Sequence, residues 1–220
     1  ILMGKLQNSA GLTADETNAI MKFSAATGKT GEQTFKQFSA GFKMQKMRKG
    51  LVLNEKDAMK EIGKLSSSIK LSIAGGAEGL GKAMASAKAL GTDLGKVDDI
   101  AGSLLNFEES IANELEAELL TGKELNLEKA RQAALDNDLA TLADEIAKNV
   151  GSAADFQAMN RIQQEAIAKA VGMTREELAS SLMEQENLAR LSEIEGETMK
   201  AKYETLRETL SAEEASKMLG

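Results

Sequence analysis

Apolar residues recur along most of this chain at intervals of three and four, the spacing that puts them on one stripe of an α-helix. Between Thr13 and Ala26 the stripe is Ala19, Ile20 and Phe23. Between Thr30 and Lys49 it is Phe35, Phe38, Phe42 and Met47, and between Asn54 and Leu71 it is Ala58, Ile62, Leu65 and Ile69. Further on, Leu105, Ile111, Leu115, Leu119 and Leu120 line one helix. Leu127, Ala130, Ala134, Leu135, Leu139, Leu142 and Ile146 line the next. The short Thr121–Leu125 connection around Gly122 makes an antiparallel hairpin of this pair the expectation. From Leu178 a four-three spacing runs through Leu182, Gln185, Ala189, Ser192, Gly196, Met199, Tyr203, Leu206 and Leu210. Gln185, Ser192 and Gly196 are poor seam residues, so this register predicts a coiled coil that needs a partner.

Start signals punctuate these stripes. A Ser, Thr or Asn is followed three residues on by an acid or amide at Thr13/Glu16, Thr30/Gln33, Asn54/Asp57, Ser152/Asp155, Thr174/Glu177 and Ser211/Glu214, and Asn126 with Glu128 is a looser case. The first N–H groups of a helix lack carbonyl partners; a capping oxygen accepts from one, and the residue three positions on bonds back. With no Pro in 220 residues, nothing interrupts the pattern but Gly. The expected fold is all-α with no sheet, built of successive short and long helices in an elongated, partner-dependent bundle or coiled coil. Residues 1–72 read as short amphipathic helices and 104–150 as the hairpin. Residues 151–220 read as long helices with weak heptad character. Residues 73–103 hold Gly75, Gly76, Gly79, Gly81, Gly91, Gly95 and Gly102. Because Gly costs about 1 kcal/mol per helical position relative to Ala, this stretch is the expected hinge or linker, and its Gly/Ala texture between Ile73 and Gly91 also suits a membrane-seeking segment.

Composition narrows the chemistry. The chain has no Cys, His or Trp. Disulfides, thiolate catalysis, the common zinc sites and imidazole acid–base work are therefore excluded. Apolar residues make up 42% but aromatics only 3%, which predicts a thin core of Ala, Leu, Ile and Met whose burial a partner completes. The 11 Met residues fit either gap-filling or an adaptable surface. The longest uncharged run, Leu6–Ala14, is far short of the about 20 residues a membrane span needs, and no secretory leader is expected. A start on Ile1 rather than Met leads us to expect a piece of a longer protein.

Net charge is −7 but unevenly spread: residues 1–75 carry 12 Lys/Arg against 6 Asp/Glu, and residues 76–150 carry 7 against 15. A basic head and an acidic body favour head-to-tail contacts or a polyanionic neighbour. Lys43, Lys46, Arg48 and Lys49 beside Phe42 make a basic cluster too small and too poor in aromatics for a nucleic-acid reader. Gly28-Lys29-Thr30 lacks the earlier Gly of a phosphate loop, since position 23 is Phe23, and reads as a helix stop followed by a cap. Gly76, Gly79 and Gly81 do not match a dinucleotide fingerprint, nor Asp93, Asp98 and Asp99 a calcium loop. Glu108, Glu109, Glu114, Glu116 and Glu118 are spaced around a helix as a solvated face. No catalytic, cofactor-binding or metal residue is expected, and no enzyme.

The repeated Gly-cap-acid starts (Gly11-Leu12-Thr13-Ala14-Asp15-Glu16, Gly151-Ser152-Ala153-Ala154-Asp155, Gly172-Met173-Thr174-Arg175-Glu176-Glu177), the Ala/Gly segment Ile73–Gly91 and the run Leu105–Ile111 together resemble a phage tail tape measure protein. The resemblance implies a ruler, because helix length at about 1.5 Å per residue is a direct physical measure. It implies a segment of a longer virion chain, lying in the tail tube or tip, fixing tail length and leaving before the DNA. It further implies self-association as a trimer or hexamer, contacts with tail tube and tail tip proteins, a transient host-membrane contact on ejection, and no small-molecule ligand. The alternatives are a soluble all-helical scaffold or adaptor, and a membrane-active or injected effector.

Overall fold

The structure, a computed structural model, describes residues 13–209. Among the described residues there are twelve α-helices and no strand. In chain order they are α1 (Ala14–Thr27), α2 (Gly31–Lys49), α3 (Glu55–Ile62), α4 (Ser67–Ser72), α5 (Gly76–Ala89), α6 (Leu94–Leu105), α7 (Phe107–Thr121), α8 (Glu128–Leu135), α9 (Leu139–Val150), α10 (Ala153–Ala158), α11 (Arg161–Ala170) and α12 (Arg175–Thr209). The fold is all-α, as the periodicity predicts.

Local chemistry sets the starts. Thr13 and Glu16, Thr30 and Gln33, and Ser152 and Asp155 form reciprocal capping boxes on α1, α2 and α10. Thr174 and Glu177 exchange the same pair of bonds ahead of α12. Asn160 with Gln163 makes a further box on α11 that the sequence reading passed over. Asn54 caps α3 through the N–H of Lys56 instead of through Asp57. Asn126 does not cap α8, whose N-cap position falls to Leu127. Ser211/Glu214 lies outside the described residues. Thr13 and Gly28-Lys29-Thr30 thus serve as stops and caps: Gly28 takes the left-handed conformation that ends α1, and Thr30 opens α2.

The core is one continuous cluster organised around α5. Ala77, Leu80, Ala83, Met84, Ala85 and Ala87 of α5 are all buried. Helix α2 crosses α5 at its glycines. A Cβ on Gly41 would overlap the carbonyl oxygen of Glu78, and one on Gly81 would overlap that of Phe38. Small residues let two helix backbones approach more closely than larger side chains allow, and Phe38 and Phe42, with rings 6.1 Å apart, then seal the crossing. Fully burying each Phe is worth about 1.5–3 kcal/mol. Helix α5 also packs against α9, and α6 and α8 in turn pack on α9. The 73–103 segment, expected to be a hinge, therefore holds the centre of the core: Gly81, which lowers helix propensity, is what makes the close crossing with α2 sterically feasible.

Other boundaries also differ from expectation. The stretch 54–71 is two helices, α3 and α4, separated at Gly63–Ser66, though Ala58, Ile62 and Ile69 are buried as the stripe predicts. The stretch 127–146 is likewise split into α8 and α9. The break is at Asn137, which takes a positive φ of 54°, and Asp138 caps α9. The hairpin does not form as drawn. Helix α7 packs chiefly on α11 and on α6, while α8 packs on α9 and α6. Met47, placed on the α2 stripe, is 74% exposed.

Helix α12 is fastened to the body by polar side chains. Ser181 Oγ and Gln185 Nε2 both donate to the carbonyl of Leu90, and Ser192 Oγ accepts the N–H of Val52 at 2.8 Å. Gly91, at φ +77°, sits so close that a Cβ would overlap the Ser181 carbonyl oxygen. Gln185 and Ser192, poor residues for a coiled-coil seam, are thus good ones for docking a helix onto exposed backbone groups, while Leu178 and Leu182 fill the apolar part of the contact. The residues Glu193–Gly196 are exposed and the helix continues to Thr209. Among the described residues no helix is long and apolar enough to cross a membrane.

Candidate functional site

Helix α7 carries the densest acids of the chain and its most exposed apolar stripe, and their placement inverts the amphipathic reading. The buried face of α7 is Ser110, Glu114 and Ala117. Phe107, Ile111, Leu115 and Leu119, four residues apart, are exposed, with Leu119 85% so. Leu105 and Leu120 are also exposed. This stripe, expected inside, is a continuous outer surface along the whole helix.

The inversion has a physical cause in the 122–127 loop. Glu114 is nearly buried and pairs with the guanidinium of Arg131 at 2.7 Å. It also accepts the N–H of Leu127 at 2.8 Å. Glu118 accepts the N–H of Leu125, again at 2.8 Å. Two carboxylates thereby satisfy backbone donors that a turn without regular structure leaves orphaned. Arg131 also donates to Ser110 Oγ at 3.2 Å. Turning α7 by half a turn would bury the leucines but break these bonds and strand Arg131. Glu116 is 3.9 Å from Lys169 of α11, and Glu109 accepts from Asn106. Glu114 and Glu118 act as staples to the loop, and Glu109 and Glu116 are engaged with Asn106 and Lys169, which is a more specific role for these four than a solvated face.

A second polar cluster lies where α3, α4, α6 and α12 meet. Glu61, Lys64, Ser66, Asp93, Lys96 and Asp98 line an open groove of about 510 Å³. Asp93 caps α6 by accepting the N–H of Lys96. Asp98 is pushed up from its ordinary pKa by burial and then by neighbouring Asp99. Lys88 pairs with Glu61. Lys96 Nζ donates to Glu177 at 2.6 Å. That bond, with the Thr174 N–H, holds the Glu177 carboxyl down to about 2. A carboxylate so strongly held in its ionised form is a tie between α6 and the start of α12, not a group poised to exchange protons near neutrality. Among the described residues no group of three or more acids is arranged around a metal-sized centre.

A third cluster is buried. Gln45 Nε2 of α2 donates to Ser86 Oγ of α5 at 2.6 Å and to Asp144 of α9 at 3.1 Å. Asp144 also takes Arg48 and Lys49. Three helices are locked in register by one amide, and the basic cluster of α2 is anchored at its end. Its geometry orients helices, and Arg48, Lys49 and Asp144 also line an open surface groove of about 390 Å³ with Ala147 and Lys148. Other exposed apolar residues are Leu71, Leu135 and Ile162, with Met44 and Met47 on α2 and Met183, Leu191 and Ile194 on α12. Sequence periodicity identified the α7 stripe but not its direction, because the deciding groups, Glu114, Arg131 and the N–H of Leu127, come from two elements and a loop. No protein-family model, no curated protein and no solved structure matches this chain.

Proposed function

We propose that this chain is a structural component of a virion: a segment of a phage tail tape measure protein that assembles through its helix surfaces and performs no chemistry. The observation that carries this reading is the outward stripe of Phe107, Ile111, Leu115 and Leu119 on α7. Exposed apolar patches of this kind mark protein contacts, whereas the acids that would serve a reaction are engaged in fastening loops and helices. In this reading several copies, three or six, associate about the axis of the tail tube. They contact tube and tip proteins and depart before the DNA. Elongation belongs to the assembly and to α12, the 35-residue helix, while the body built around α5 is a folded bead on that rod.

The test is made in the phage whose genome encodes the chain. Purified particles are probed for it by mass spectrometry, and tails are measured after in-frame deletion and duplication of its coding segment. The proposal expects the chain in the particle, with shorter and longer tails respectively. Its absence from particles would overturn the tail role. A soluble scaffold or adaptor is the second reading, and the single continuous core favours it; that reading expects the chain in assembling cells but not in finished virions. For a membrane-active effector, Ile73–Gly91 would have to leave the core first, because most of α5 is buried.

A further inference from the structure

Among the described residues, two of the exposed apolar helix faces, those of α2 and α7, carry opposite charge. Helix α2 packs chiefly on α5, whereas α7 packs on α11 and α6. On α2, a helix with five cations, Met44 and Met47 are exposed, as are Lys36, Lys43 and Arg48, while Lys46 donates to the Leu53 carbonyl and Lys49 is held by Asp144. Internal partners compensate only part of that charge. Glu32, Glu55 and Asp144 are the three carboxylates paired with them, leaving a surplus of two positive charges. On α7, Glu114 is turned inward onto Arg131; the other four carboxylates, Glu108, Glu109, Glu116 and Glu118, have Lys169 as their one ion-pair cation among the described residues, leaving a surplus of three negative charges.

We infer that α7 of one copy docks on α2 of the next, Leu115 and its neighbours against Met44 and Met47, with Glu108 and Glu116 facing Lys43 and Arg48. Two α7 faces brought together would set like charges against each other, as would two α2 faces. A basic apolar face meeting an acidic apolar one gains from both terms. Because the two faces differ and lie apart, the contact is heterologous, and repetition of it makes a ring or a filament instead of a closed two-fold dimer. Methionine suits this contact, since its flexible thioether conforms to the Leu and Phe ridge. One helix against one helix buries less than a standard interface, so the contact is weak and salt-sensitive. This surface deepens the structural role proposed above and rests on it for the expectation that copies meet.

The test is sedimentation velocity on the 220-residue chain and on two variants, Leu115→Glu and Met47→Glu. Both changes are at exposed positions, and circular dichroism verifies that each variant stays folded. At low salt the unaltered chain is expected to grow in mass with concentration beyond two protomers, and to return to one protomer at about 0.5 M NaCl, where screening is nearly complete. Each variant alone stays monomeric. An equal mixture of the two forms dimers and stops there, because one copy supplies an intact α2 and the other an intact α7. A monomer under every condition would overturn the inference, as would Met47→Glu still associating alone, which marks an α7–α7 contact. Absence of the chain from virions would instead overturn the tail role and leave the head-to-tail surface standing.

Discussion

Helices α5 and α7, which begin at Gly76 and Phe107, reverse their sequence-level promise. Helix α5 has three glycines in its first turns, a fourth at its N-cap and the composition of a linker, yet it is the most enclosed helix among the described residues. Helix α7 has the leucine stripe of a core element, yet turns it outward. The difference teaches that side-chain hydrophobicity does not fix which face is buried. Close helix crossings select for small residues, and a well-bonded Glu–Arg pair with backbone donors to satisfy can hold a helix with its leucines in water.

The sharpest way to break this comparison is at the crossing. Gly81→Leu places a side chain where the Phe38 carbonyl already sits, and overpacking of this kind costs about 3 kcal/mol or more. Thermal melting should show a fall of many degrees or no cooperative transition. Gly102→Ala is the control: nothing stands within 4 Å of its Cβ direction and its φ is not left-handed. Replacement there should raise stability by about 0.5–1 kcal/mol.

Next in size is the pair that turns α7. Arg131→Met leaves Glu114 nearly buried without its cation, and breaking such a pair costs about 3 kcal/mol in urea unfolding. A loss under 0.5 kcal/mol would mean that the 122–127 loop is held by something else.

A smaller effect is expected where α12 is tied to α6. The Glu177 carboxyl is held down to about 2 by Lys96 and the Thr174 N–H. A depressed folded-state pKa stabilises fully above the ordinary carboxylate value near 4.3 and is lost as pH falls from there toward 2. Glu177→Gln should therefore cost about 1 kcal/mol at pH 7, as expected for a half-exposed cap and ion pair, with most of that difference gone at pH 2. Urea titrations at both pH values measure it. Smallest of all is Leu119→Ser, at an 85% exposed position, where unfolding free energy should move by less than about 0.5 kcal/mol.

The fold class and most helix starts were legible, because capping boxes and three-four periodicity are local. Thr13, Thr30, Ser152 and Thr174 each do what their spacing implies. What periodicity could not convey is direction. Whether Ile111 or Glu114 faces inward depends on Arg131, seventeen residues beyond Glu114 and on another helix. The role of residues 73–103 was hidden for the same reason, since the partner that makes Gly81 necessary is a carbonyl on α2. Gln185 and Ser192 weakened a heptad on paper and proved to be docking groups for Leu90 and Val52, again through distant backbone.

The most direct measurement is amide hydrogen exchange on the whole chain at low and high protein concentration, comparing α5 with α7. The account predicts that α5 exchanges only through global unfolding at both concentrations, while α7 is less protected when dilute and gains protection as copies associate. Fast exchange across α5, or an α7 whose protection is the same at every concentration, would contradict it.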